Sequence, residues 1–273
     1  MSGIYNALIL HPLVSILVGI YQIINAIGIP YALGFSIIGL TIVIRFVLYP
    51  LMSTQLRASQ KMQKVAPHIS KIKELHKGDS KRIQSETMRL YKEHGVNPFA
   101  GCLPALVQLP VLFGLYSVLN KVFHLKSNEV VAEVNRLTYN FDFLKLKEAW
   151  DPTFFGIALG ASPSQLFGDY GPFVFLVPLL TGFLQFIQSK MIYAPKSKED
   201  KAKKKDQDFA SAFQSQATYI FPVMIGFFSF SFPLGLSLYW NTFTVFGIIQ
   251  QYKIQGLGGL EQDIAWIKTK AKR

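Results

Sequence analysis

Five separate stretches of this sequence are long, predominantly apolar and almost free of charged residues. The hydrocarbon core of a bilayer is ~30 Å thick, and roughly 20 residues of α-helix cross it. Each stretch is close to that length, so the sequence predicts an all-α polytopic membrane protein with five transmembrane helices. The predicted helices are residues 32–52, 99–122, 170–193, 216–232 and 234–254.

The composition agrees with this fold class. Half of the 273 residues are hydrophobic and 14% are aromatic, which is more apolar material than one soluble core normally hides. The formal net charge of +12 could suggest a nucleic-acid partner, but the Lys and Arg residues concentrate in three segments between or after the apolar stretches. DNA binding is therefore not expected.

The positions of these cations predict the topology, since loops rich in Lys and Arg stay in the cytoplasm. Residues 53–98 carry ten Lys and Arg, the charged linker 194–215 carries six, and the tail 255–273 carries four. The opposite segment, residues 123–169, has four, outnumbered by six Asp and Glu. With five spans, the N-terminus lies outside the cell and the C-terminus lies in the cytoplasm.

Residues 1–31 admit two interpretations. The stretch from Tyr5 to Ile27 is long enough to cross a membrane and carries no charge, yet His11 and Pro12 interrupt its start. Apolar residues at roughly helical spacing give some support for an external, interfacial amphipathic helix. A sixth span would move the N-terminus inside and leave every loop in place, so charge does not distinguish the two interpretations.

The basic segment 53–98 contains two amphipathic stretches on either side of Gly78, Asp79 and Ser80. Gly suits the C-terminus of a helix, and Asp or Ser suits the N-cap of the next one. This pattern predicts a cytoplasmic helical hairpin. The two apolar seams that would face each other are Met62, Val65, Ile69 and Ile72 on one arm and Ile83, Thr87, Leu90 and Tyr91 on the other.

Arg45 is the one ionisable residue deep inside a predicted span, because Lys190 lies near the cytoplasmic end of its helix. An arginine near the bilayer centre costs ~2.5 to 3.5 kcal/mol on insertion scales. No predicted span contains an Asp or Glu that could neutralise it. We therefore expect a water-filled cavity around Arg45 that opens to the cytoplasm.

Uncharged polar residues could complete a hydrophilic groove around this arginine. Thr41 lies one helical turn before Arg45, and Gln108, Gln188 and Trp240 lie in other predicted spans. Such a groove would attract a carboxylate on a passing polypeptide. The alternative is that Arg45 snorkels to lipid headgroups while the glutamines bond between helices.

Three segments of the sequence resemble, in the same order, segments of the YidC membrane protein insertase family. They are Arg45 followed by Tyr49-Pro50-Leu51, then Asn97-Pro98-Phe99-Ala100-Gly101-Cys102-Leu103-Pro104 with Gln108-Leu109-Pro110 and Leu115-Tyr116, and finally Phe232-Pro233-Leu234-Gly235-Leu236 with Leu238-Tyr239-Trp240. With the basic hairpin and tail, the resemblance extends over nearly the whole chain. The outer segment 123–169 is longer than in compact relatives.

The resemblance implies a five-helix core that encloses a groove, preceded by an interfacial helix, in the bacterial plasma membrane. It implies that Arg45 is the groove arginine, with Thr41, Gln188 and Trp240 as further lining residues. The implied activity is that of an insertase and chaperone that works as a monomer on nascent membrane proteins. The implied contacts are membrane lipids, the ribosome and the Sec translocon.

Two rival functions remain open at this point. One is a small ion or solute transporter with Arg45 as an anion site, although no repeat or broken half-helix accompanies it. The other is a passive ribosome or membrane scaffold. An enzyme is not expected, because the sequence shows no Ser-His-Asp set, no paired intramembrane carboxylates and no phosphate loop. No cofactor or metal is expected either, since the five histidines are scattered.

Overall fold

The computed structural model describes residues 2–97, 103–123, 125–192 and 209–271, and these are mostly helical, as predicted. Contacts divide the chain into two compact units. In chain order the elements are α1 (Ser2–Tyr5), a π-helical turn (Asn6–Leu10), α2 (His11–Ala26), α3 (Ala32–Val47), α4 (Tyr49–Leu75), α5 (Ser80–Glu93), α6 (Leu103–Phe123), α7 (Ser127–Leu137), a 3₁₀ turn (Asp142–Leu144), β1 (Thr153–Phe154), β2 (Ile157–Ala158), α8 (Pro163–Tyr170), a second 3₁₀ turn (Gly171–Phe175), α9 (Leu176–Ile192), α10 (Phe209–Ser229), α11 (Leu234–Gln255) and α12 (Leu260–Ala271).

Two helical stretches of the described chain are long and apolar enough to cross a membrane, Gly3–Ala26 and Pro163–Ile192. The number rises to three if α3 and α4, which meet at Leu48, form one span. Helix α11 is long enough, but Asn241, Gln250 and Gln251 lower its hydropathy. The structure thus supports a helical membrane protein, whereas the count of five spans stays a prediction.

Several helix boundaries differ from the sequence prediction. The predicted span 32–52 is interrupted after Val47, and α9 begins at Leu176 rather than at residue 170. Helix α10 begins at Phe209, so the last residues of the predicted linker 194–215 are helical. The basic tail contains the helix α12, which was not predicted. The lysine-rich part of the linker, residues 196–208, lies outside the described residues, as do Pro98 to Cys102 of the family-like motif.

In the first unit, residues 1–47, 107–186 and 219–246, helix α2 packs against α3. The contact is close because Gly39 has no side chain and Ile20 lies against it. Leu17, Val18 and Leu33 are almost completely buried around this seam. These apolar side chains form the core that holds the arginine-bearing helix.

The outer segment of the first unit runs along α2. A hydrogen bond of 2.9 Å joins the His11 ring to the Leu137 carbonyl, and the Tyr139 amide donates to the Ser15 hydroxyl at 3.0 Å. Further along, Gln22 Nε2 donates to the Lys145 carbonyl at 3.0 Å. The segment therefore follows α2 for about three helical turns.

The outer segment then forms a two-stranded antiparallel hairpin, β1 and β2, with Thr153 opposite Ala158. Phe154 at the end of β1 lies directly against Gly34, where any Cβ would overlap its ring. Phe154 also meets the Phe35 ring edge-on at 5.3 Å. The Phe154 ring can therefore pack on the surface of α3 only because residue 34 has no side chain.

Helices α9 and α10 approach closely within the first unit. A Cβ at Gly182 would lie 3.3 Å from the Pro222 carbonyl, and one at Gly226 would lie 3.2 Å from the Pro178 carbonyl. Beside them, the Ser229 hydroxyl donates to Thr181 at 3.3 Å. Small residues and hydroxyl groups are the usual means of helix association in lipid.

In the second unit, residues 48–106, 187–218 and 247–273, α4 and α5 form the predicted helical hairpin. Gly78 adopts a left-handed conformation with φ +93°, and the Asp79 carboxylate accepts the Arg82 amide at 3.0 Å as N-cap. Val65 of the predicted seam is only 3% exposed. Both turn residues take the roles that the sequence predicts.

The same unit fastens the C-terminal segment to the end of α9. Lys190 forms an ion pair with Asp263 of α12. Gly258 has φ +52° and lies against the Met191 carbonyl, where a Cβ would overlap that oxygen. From α4, Gln63 donates to the Ile192 carbonyl and Gln60 to the Ile254 carbonyl.

Candidate functional site

Arg45 lies in the last turn of α3, a helix whose other residues from Ala32 to Val47 are uncharged. Only 3% of its surface is exposed. No carboxylate lies within ion-pairing distance in the part of the chain that the structure describes. The isolation of this charge, inferred from the sequence, is therefore seen in the first unit.

Two features of α11 hold the guanidinium. Arg45 Nη2 donates a hydrogen bond to the Phe243 carbonyl, and Arg45 Cζ lies 3.3 Å from the centroid of the Phe243 ring. The Phe246 ring centroid is 5.9 Å away. A desolvated cation–π contact is worth about 2 kcal/mol. The guanidinium thus has a backbone partner and an aromatic partner that the sequence did not reveal, and the water-filled cavity expected around Arg45 stays a prediction.

The Nε–H donor of Arg45 is not used in these contacts. Arg45 Nε is buried and has no hydrogen-bond partner among the described residues. An unsatisfied buried donor costs about 1 to 3 kcal/mol, more when it is charged. The site therefore retains capacity for an additional acceptor.

Thr41 is completely buried one turn before Arg45. Its hydroxyl donates to the Ile37 carbonyl at 2.6 Å, within its own helix. The oxygen lone pairs remain able to accept a hydrogen bond. Thr41 thus adds an acceptor to the same helix and leaves the net charge of the site unchanged.

Gln108 of α6 connects to the arginine through two aromatic residues. Gln108 Nε2 donates to the Tyr239 hydroxyl at 2.7 Å, and the Tyr239 ring stacks on Phe243 at 5.9 Å. Gln108 Oε1 is buried without a partner among the described residues. The chain of contacts from Gln108 to Arg45 places both in one site.

Trp240 lies on another face of α11. Its Nε1 donates to Gln185 Oε1 of α9 at 3.3 Å. Ser237 and Thr244 lie one helical turn before and after Trp240 on the same face, and Asn241 is the next residue along the helix. Asn241 Oδ1 has no partner within the described chain.

Gln188 belongs to the second unit and is half-buried there. The structure thus brings Arg45, Thr41, Gln108 and Trp240 into one unit. The roles of all five predicted residues stay predictions.

Sequence reasoning missed Phe243 and Tyr239 as partners of the site. Tyr239, Phe243 and Phe246 recur at positions i, i+4 and i+7 of α11, so they share one helix face. In a sequence, such a face resembles a lipid-exposed surface. The signal that could have found it is the pairing of a buried cation with an aromatic stripe on another span.

Comparison with known proteins identifies the family. The model of the family described as 60Kd inner membrane protein matches residues 15–258. The chain belongs to this family. It is the family of the YidC insertases, so the resemblance inferred from the motifs is confirmed.

Among the relatives, the membrane protein insertase YidC of Fusobacterium nucleatum subsp. nucleatum is 34% identical over 225 residues, covering 82% of this chain and 87% of that protein. The chloroplast inner membrane protein ALBINO3 of Arabidopsis thaliana is 34% identical over 252 residues, covering 88% of this chain and 50% of that protein. The chain therefore spans about half the length of the plant relatives.

A crystal structure of an active YidC insertase, with its first transmembrane domain resolved, is also similar. It has a TM-score of 0.50 and 26% sequence identity, and the match covers 81% of this chain and 41% of that one. The similarity to these members of the YidC family supports the assignment of this chain as a helical membrane protein. They do not support the alternative interpretation as a small ion or solute transporter.

Proposed function

We propose that this chain is a membrane protein insertase and chaperone. In this proposal, the site around Arg45 receives a hydrophilic segment of a substrate while the apolar segment of the same substrate enters lipid. The observation that carries the proposal is a buried guanidinium with a spare Nε donor and no acidic partner among the described residues, in a chain of the YidC family.

The conformation described above corresponds to the resting state in this mechanism. A substrate carboxylate would accept the free Nε–H and replace the Phe243 carbonyl at Nη2, forming charge-assisted hydrogen bonds. Because the surroundings have a low dielectric constant, the attraction between these charges is stronger than in water. Thr41, Gln108 and Trp240 would bind uncharged polar parts of the same segment, and we expect Gln188 to take part.

The apolar segment of the substrate would move along exposed helix faces. Leu179 and Phe183 of α9 are largely exposed, as are Val223 and Phe227 of α10. Transfer of an apolar side chain from water to lipid releases about 0.8 kcal/mol per buried CH₂. This transfer would drive insertion without a nucleotide or a covalent reaction.

The proposed topology has five spans, with the N-terminus outside and the basic hairpin and tail in the cytoplasm of a bacterial cell. Helix α2 would lie in the outer interface although it is long enough to cross. Its companion, the outer segment, has irregular backbone and exposed charges at Arg136, Asp142 and Lys145 beside it. Lipid-exposed irregular backbone does not occur in the hydrocarbon core, so an interfacial position suits both partners.

Nascent membrane proteins and lipids would be the direct partners of a monomeric insertase. The hairpin α4–α5 and helix α12 expose Lys and Arg residues such as Lys81, Arg82, Lys268 and Lys270. These basic surfaces would meet the ribosome or the Sec translocon.

Arg45→Ala tests the proposal in cells that depend on this protein. Insertion of substrates with acidic translocated tails should fall, whereas substrates with neutral tails should insert nearly as well as before. Arg45→Lys should give an intermediate result, and Arg57→Ala, which removes an exposed cation of α4, is the matched control. Unchanged insertion of every acidic-tailed substrate would remove Arg45 from the mechanism.

A further inference from the structure

The outer segment carries two exposed phenylalanines on an irregular stretch. Phe141 is 58% exposed and Phe143 is 69% exposed, and their rings stack at a centroid distance of 6.0 Å. They lie outside every predicted span, among charged residues. Adjacent exposed aromatic rings on such a loop are costly in water, which suggests that something covers them.

Burial alternates along this stretch. From Phe143 to Lys147, Leu144 and Leu146 are buried while Phe143, Lys145 and Lys147 are exposed; Phe141 and Asp142 before them are both exposed. Two aromatic residues are thus followed on the exposed side by two lysines. Lys145 also pairs with Asp142 at 3.2 Å.

The neighbouring surface is apolar as well. The stretch lies along α2 between the Ser15 and Gln22 contacts, and α2 exposes Ile16 and Ile23. In a membrane protein, exposed apolar residues of a long apolar helix face lipid. The interfacial position proposed above for α2 would bring this stretch to the lipid surface.

We propose that Phe141 and Phe143 insert into the lipid surface beside α2, while Lys145 and Lys147 contact the phosphates of anionic headgroups. The partner is the bilayer itself. Phenylalanine lowers its free energy by leaving water, and a lysine near an anionic surface is attracted to it. The outer segment is thereby a membrane anchor, and its two phenylalanines and two lysines together set how deeply it lies in the bilayer. The proposal does not depend on the insertase activity.

The test uses the full chain in vesicles, with Cys102→Ala as background and a cysteine at position 143 that carries an environment-sensitive fluorophore. Position 140, occupied by the exposed Asn140 of the same stretch, is the matched control. The vesicles contain phosphatidylcholine with or without phosphatidylglycerol, and a fraction of lipids carries a nitroxide near the headgroup.

The fluorophore at position 143 should emit further to the blue than that at position 140. Nitroxide lipids should quench it several-fold more strongly, and phosphatidylglycerol should increase this quenching. A Lys147→Glu substitution should cancel the effect of phosphatidylglycerol. Equal emission and equal quenching at positions 140 and 143 would overturn the proposal. Quenching that is indifferent to phosphatidylglycerol would overturn the role of the lysines.

Discussion

Arg45 lies with its guanidinium carbon 3.3 Å from the centroid of the Phe243 ring, and the same residue accepts one of its N–H groups through the backbone carbonyl. The Phe243 ring therefore contacts the flat face of the guanidinium, and the Phe243 carbonyl accepts a hydrogen bond at its edge. A substrate carboxylate must compete with these two contacts. Phe243 thus sets how readily Arg45 becomes available.

Replacement of Phe243 by leucine removes the aromatic face and leaves the backbone carbonyl. We expect Arg45 to react faster with phenylglyoxal, a water-soluble arginine reagent, because the guanidinium loses about 2 kcal/mol of cation–π stabilisation. Mass spectrometry of the peptide that contains Arg45 measures the rate. Val245→Ala, on the exposed side of the same helix, should leave it unchanged. Identical rates in Phe243→Leu and the unsubstituted protein would contradict this role.

Gly34→Ala places a methyl group where the Phe154 ring lies. Overpacking of this kind typically costs about 1 to 3 kcal/mol, so thermal unfolding in detergent should shift to a lower temperature. In a Phe154→Ala background the same substitution should be neutral or slightly stabilising, since Ala is the better helix former. Equal destabilisation in both backgrounds would show that the ring is not the cause.

Asp79→Ala removes the N-cap of α5. We expect a loss of about 1 kcal/mol of helix stability and faster amide hydrogen exchange across Ser80–Glu93. Asp79→Asn keeps a capping oxygen and should exchange nearly as slowly as the unsubstituted hairpin. If the alanine and asparagine variants exchange alike, the cap is not what stabilises this helix.

Gly258→Ala should release the C-terminal segment from the end of α9. Both Gly258 and Gly256 have positive φ, but only at Gly258 would the methyl group overlap the Met191 carbonyl. Trypsin should therefore cleave at Lys268 faster in Gly258→Ala than in Gly256→Ala. Equal cleavage rates would mean that backbone strain alone, shared by both positions, controls the docking.

The position of α2 predicts which side of the membrane the N-terminus occupies. In a Cys102→Ala background, a cysteine at Gly3 should react with a membrane-impermeant thiol reagent on intact spheroplasts. A cysteine at Ser80, in the basic hairpin, should react only after permeabilisation. The reverse behaviour at position 3 would establish α2 as a sixth span.

The arginine at the centre of the candidate site could be singled out from the sequence, because a lone arginine in an apolar stretch is conspicuous. The turn at Gly78 and Asp79 could also be predicted, since glycine suits the C-terminus of one helix and aspartate suits the N-cap of the next. The aromatic partner Phe243 was not, because tertiary contacts between distant spans have no local pattern. The family motif supplied the order of the segments and none of these contacts.

Other elements were missed for different physical reasons. The start of α10 contains Ala, Gln and Ser, which were read as part of a linker although Ala and Gln favour helices. The path of the outer segment along α2 depends on single hydrogen bonds, such as the one between Tyr139 and Ser15. Such bonds leave no periodicity in a sequence.

The glutamines of α4 have a consequence for engineering. Gln63 and Gln60 lie one turn apart and bond to the carbonyls of Ile192 and Ile254, at the C-terminal ends of α9 and α11. Terminal carbonyls need partners from outside their own helix. A truncation that removes α4 therefore leaves the C-terminal ends of α9 and α11 without these partners. Any loss of activity in such a truncation would reflect the fraying of those two ends as much as the absence of α4 itself.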